Sequence, residues 1–69
     1  MTEKELALAA SEDAFRGSIE KMVAILLDAW ITNNTPAGHQ QALQRFQNGL
    51  GLHKAGFASA QQVINTVFP

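Results

Sequence analysis

Apolar residues recur along the first half of the chain with a helical period. Leu8, Phe15, Met22 and Ala29 lie seven apart, and Ile19 and Leu26 follow Phe15 and Met22 by four, which draws one stripe along a helix. A second set, Val23, Ile25, Leu27, Trp30 and Ile31, fills the flanking and opposite directions, so the polar face nearly closes between residues 22 and 31. A helix that is apolar all round must be covered all round, by protein or by lipid. Thr2 and Glu5 have the spacing of a capping box, in which each side chain satisfies a free backbone N–H at a helix start. From residue 3 to Thr32 there is no proline. Gly17 is the one interior residue that weakens a helix appreciably, by about 1 kcal/mol relative to alanine. The pattern predicts a long first helix over residues 3–32. Two alternatives stay open: a break near Gly17, or a short arm followed by a helix that Ser11 caps.

The stretch NNTPAG, residues 33–38, is the clearest boundary. The asparagines tolerate a turn, Thr35 can cap, and Pro36 occupies the first helical position, where its missing N–H costs nothing. In the second helix Leu43, Phe46 and Leu50 align at spacings of three and four, and His53 and Phe57 extend the stripe if the helix passes Gly49 and Gly51. The NGLG stretch also reads as a helix end, so both outcomes remain open. SAQQ, residues 59–62, repeats the capping-box spacing, and Val63, Ile64 and Val67 behind it predict a short C-terminal helix. No alternating run of β-branched residues occurs. The expected fold is a single all-α domain over residues 1–69: a long N-terminal helix, a helical hairpin, and a short C-terminal helix.

Size turns this pattern into a prediction about assembly. A 69-residue chain buries only about 60% of the surface it exposes when unfolded, and domains this small are usually reinforced by disulfides, a metal or oligomerisation. The chain has no cysteine, which removes the first and weakens the second. An unbroken first helix would be about 45 Å long, whereas a compact monomer of this length has a radius of gyration near 11 Å. A homodimer follows as the expectation, with Met22, Leu26, Ala29, Trp30, Leu43, Phe46 and Leu50 forming its core or seam.

Charge changes the picture little. The net charge is -1, so no strong field draws the chain to nucleic acid or an anionic membrane. All six acids precede residue 29, and only Arg45 and Lys54 carry formal charge after it. This asymmetry suits either two solvated faces or an acidic arm packed on a basic one. The first residues lack the basic region of a secretory signal, and the apolar block falls short of the roughly 20 residues of a membrane span. A soluble, cytoplasmic protein is expected.

Candidate chemistry is sparse. His39 and His53 have no acid near them in sequence and the chain has no cysteine to join them, so no metal set is assembled locally. Ser11, Ser18 and Ser59 lie in no nucleophile elbow, and GLG at 49–51 lacks the preceding strand of a phosphate loop. Neither an enzyme nor a cofactor is expected. The segment from Leu52 to Asn65 has a glycine between two predicted helices, as in a helix-turn-helix, but its second helix would carry no Lys or Arg for phosphate contacts. What remains is protein binding. Phe15, Arg16, Ile19, Glu20 and Val23 combine an aromatic, a guanidinium and aliphatics on one helix, a composition enriched at interface hot spots. The plainer alternatives are core packing for Phe15 and Ile19, and solvated pairs of Arg16 with Glu12 and Glu20.

With TEKELALAASEDAFRGSIEKMVAILLDAW as first helix and NNTPAG launching the second, the chain resembles the small phage-encoded anti-activators that inhibit quorum sensing. The resemblance covers the whole chain in length and layout and contains no diagnostic motif. It implies a compact helical dimer in a bacterial host that binds a LuxR-type transcription regulator and blocks its DNA binding. It also implies possible inhibition of the ATPase of type IV pilus assembly. The hairpin, the TP turn and the ending QQVINTVFP are similar as well to needle, inner-rod and co-chaperone subunits of type III secretion, although those tend to be longer after the turn.

Overall fold

Thr2 and Thr35 each open a helix, and between them they account for the whole chain. The computed structural model describes Met1 to Pro69 and contains α1, Glu3–Thr32, and α2, Pro36–Val67, with no strand. At the start of α1 the Glu5 backbone N–H donates to Thr2 Oγ1 at 3.1 Å. Glu3 and Glu5 place negative charge in the first turn, where the helix dipole favours it. At the start of α2 the Gly38 N–H donates to Thr35 Oγ1 at 3.0 Å, and Pro36 follows the cap. The turn between them is closed by its own backbone. The Asn33 N–H donates to the Ala29 carbonyl, and the Thr35 N–H donates to the Asn33 carbonyl.

Neither helix breaks. α1 runs through Gly17, and α2 runs through Gly49, Gly51 and Gly56 to Val67, so the short separate C-terminal helix is not formed. No glycine adopts a positive φ, which removes the helix-end reading of NGLG. The SAQQ spacing falls inside α2, where the backbone N–H groups are already used by the helix and a cap has nothing to satisfy. No turn exists near Gly56, so the helix-turn-helix reading fails on geometry. The physical reason for continuity is packing along the full length of α1. Each interior glycine costs about 1 kcal/mol, but a break at Gly51 or Gly56 would detach Phe57, whose ring stacks on Phe15 with centroids 4.5 Å apart.

Contacts between the helices run in opposite order along the chain. Trp30 meets His39 beside the turn, Met22 meets Gly49 midway, and Phe15 meets Phe57 toward the open end. The arrangement is a two-helix, hairpin-like plate with Cα extents of 50 × 18 × 8 Å. Its radius of gyration is 15.8 Å, against about 11 Å for a compact chain of this length. The plate is one helix thick, so it has almost no interior. Only Gly38 and Ala42 are buried. Gly38 sits under the turn, where a Cβ would collide with the Asn33 carbonyl and side chain, so the close approach of the two helix ends requires glycine there.

Candidate protein-binding surface

The seam between the helices takes up part of what the sequence assigned to a core. Met22, Leu26, Ala29, Phe46 and Leu50 are half-buried along it. Trp30 remains 37% exposed and Leu43 49% exposed within one chain, so neither is part of its interior. Leu43 lies one residue beyond Ala42, about 100° round α2 from the seam-lining position, and points along a face lined otherwise by glutamines.

The five patch residues separate into three environments. Phe15 lies in the seam, half-buried against Phe57, with the two rings within 16° of parallel. Ile19 is half-buried, one turn further along the same side of α1. Arg16, Glu20 and Val23 are exposed. Phe15 is therefore a structural member of the hairpin, and the surface available to another protein consists of Arg16 and Val23 with Glu20 at the outer edge. Such a surface offers one planar cation beside aliphatic area.

The two broad faces of the plate differ. One carries a series of grooves along the seam. Near the open end the groove holds about 390 Å³ between Ser11, Ala14 and Ser18 of α1 and Leu52, Gly56 and Ala60 of α2, over Phe15 and Phe57. Midway it holds about 260 Å³ between Ile25 and Ala29 on one side and Ala42, Arg45 and Gly49 on the other, over Met22, Leu26 and Phe46. Small residues, Ser11, Ala14 and Ser18 on α1 and Ala42, Gly49 and Gly56 on α2, open it. Ser11, Ser18, Ile25 and Thr32 recur every seven residues on α1, as do Ala42, Gly49, Gly56 and Val63 on α2. That second row is the signal the apolar stripes had hidden, because alanine and glycine weigh little in a hydrophobic pattern. Residues two before the α1 row, namely Ala9, Arg16, Val23 and Trp30, sit about 160° round the helix and belong to the opposite broad face.

Beside the turn, Trp30 and His39 stack with centroids 3.5 Å apart and rings 7° from parallel. His39 Nε2 is buried there without a hydrogen-bonding side chain or backbone group, an arrangement that costs about 1–3 kcal/mol for a neutral polar atom. His53 lies on the groove face, one residue from Leu52. No group of three or more His, Asp or Glu side chains gathers to hold a metal. Neither helix is long and apolar enough to cross a membrane.

No protein-family model, curated protein or solved structure matches the chain.

Proposed function

We propose that this chain is a homodimeric, protein-binding inhibitor that acts by occupying a surface of its target. The observation that carries the reading is surface area. One chain exposes 5317 Å², whereas a compact protein of 7.5 kDa exposes about 4,250 Å². Two separate copies expose about 10,600 Å², and a compact particle of twice the mass about 7,000 Å², so pairing would remove about 3,600 Å² in total. That value falls within the range of obligate homodimers. Exposed Ile25, Leu52, Val63 and Val67 supply the apolar surface such an interface uses.

Inhibition by occupancy suits a chain of this shape. The plate presents long helix faces, and binding through Arg16 and Val23 would be stoichiometric, without turnover. The likeness to quorum-sensing anti-activators points to a LuxR-type transcription regulator in a bacterial cytoplasm as the target, with the pilus assembly ATPase as a second. The elongated hairpin also suits a type III secretion subunit, which would polymerise or bind a chaperone instead of stopping at a dimer.

The test is a gel-shift titration of a LuxR-type regulator on its operator. Added protein is expected to abolish the shift near stoichiometric ratio, and Arg16→Glu to weaken that effect at least tenfold while the circular dichroism spectrum stays unchanged. A shift that persists at tenfold excess of the wild-type protein refutes the regulator as target. Arg16→Glu acting like wild type removes the patch.

A further inference from the structure

We infer that the second copy packs on the grooved broad face of the plate, leaving the Arg16, Val23 and Trp30 face free for the target. This assignment rests on the dimer proposed above and adds which surface makes it. Area restricts the choice first. Pairing must cover about 1,800 Å² per chain to give a compact particle. A broad face has a Cα footprint of about 900 Å² and a long edge about 400 Å², before side-chain relief is added. Only a broad face approaches the need.

Side-chain bulk then separates the two broad faces. Helices pack with axes about 8–10 Å apart, the shorter distances requiring small residues at the contact. The grooved face meets this with Ser11, Ala14, Ser18, Ala42, Gly49 and Gly56 along its centre. Its rims carry some of the most exposed aliphatics of the chain, Ile25 at 67%, Leu52 at 75% and, in row with Gly56, Val63 at 61%. A second copy gains apolar contact at those rims while its own rims enter the grooves. The opposite face carries Arg16 and Trp30 on α1 and Leu43, Gln47 and Lys54 on α2. These long side chains hold a second layer away; charge does not separate the faces, since Arg45 lines the grooved one.

Gly56 supplies an independent reason. A mid-helix glycine costs about 1 kcal/mol. Gly49 has a use within the chain, since a Cβ there would press on Met22 Sδ at 3.0 Å. At Gly56 an added Cβ would meet nothing within 4 Å. Gly17 and Gly51 also meet nothing, but neither lines a groove. The absent side chain at Gly56 therefore leaves open a channel that no part of its own chain fills, at the position where a neighbouring layer would lie.

Sedimentation equilibrium of Gly56→Leu, Ser18→Leu and Val23→Lys tests the assignment. The wild type is expected to be a dimer at micromolar concentration. Gly56→Leu places a side chain in the groove, its Cβ meeting nothing within 4 Å, and improves helix propensity, so helicity should be kept while the dimer dissociation constant rises at least a hundredfold. Ser18→Leu blocks the same groove from α1 and should act alike, which covers a folding failure of the first variant. Val23→Lys should leave the dissociation constant within threefold. Undiminished dimerisation in a folded groove-filled variant, or loss of the dimer in Val23→Lys, overturns the face assignment while the dimer stands. A monomeric wild type at 100 µM overturns the dimer itself.

Discussion

Replacing Phe57 by alanine measures whether the far half of α2 is held by packing. Phe57 lies beyond three of the interior glycines of α2, and it is half-buried in a stack on Phe15 with a 4.5 Å centroid separation. Truncating a fully buried phenylalanine costs about 3–5 kcal/mol, and about half of that applies at a half-buried site. Loss of the stack adds about 0.5–1.5 kcal/mol. The expected destabilisation is about 2–4 kcal/mol, which for a domain this small lowers Tm by about 8–32 °C. Phe57→Leu should lose about 1 kcal/mol, since it keeps most of the apolar volume but not the ring. Thermal and urea unfolding followed by circular dichroism at 222 nm is the assay, at one fixed protein concentration because self-association shifts apparent stability. If α2 were broken at Gly51, Phe57 would sit on a detached tail. Phe57→Ala within 0.5 kcal/mol of wild type would then be the result, and it would refute the continuous helix.

Gly38→Ala should destabilise the hairpin by about 1–2 kcal/mol, because the collision with Asn33 outweighs the gain in helix propensity; a Tm equal to or above wild type refutes the tight turn. His39→Phe keeps a ring against Trp30 and removes the unpaired Nε2, so stability should rise by about 1 kcal/mol, or about 4–8 °C in Tm. His39→Ala removes the stack too and should lower Tm instead. An unchanged melting curve in both variants would show that the stack contributes nothing.

Much of the fold could be read from residue pattern, and the misreadings share one cause. The boundary at NNTPAG and a helix start at Thr2 were legible because caps and proline act locally, whereas passage of α1 through Gly17 was left open: Thr35 and Pro36 determine the start of α2 with neighbours no more than three residues away. Continuity of α2 was not legible. Gly49, Gly51 and Gly56 argue locally for an end, and the contact that outweighs them joins Phe57 to Phe15, forty-two residues apart. The same limit affected the surface patch. Phe15 and Arg16 are adjacent in sequence, but one faces α2 and the other faces away, so the seam takes the aromatic and leaves the guanidinium. The grooves went unread because they consist of what alanine, serine and glycine lack.

The chain has one tryptophan and no tyrosine, and that tryptophan is stacked face to face on an imidazole beside the turn. Its emission is thus a local gauge of hairpin closure, expected to change as the two rings part. Fraying that starts at the other end, about 22 Å away along α1 from Trp30 to Phe15, would leave that light unchanged while the helical dichroism declines. Divergence of the two signals during heating would report the order in which the ends of the molecule come apart.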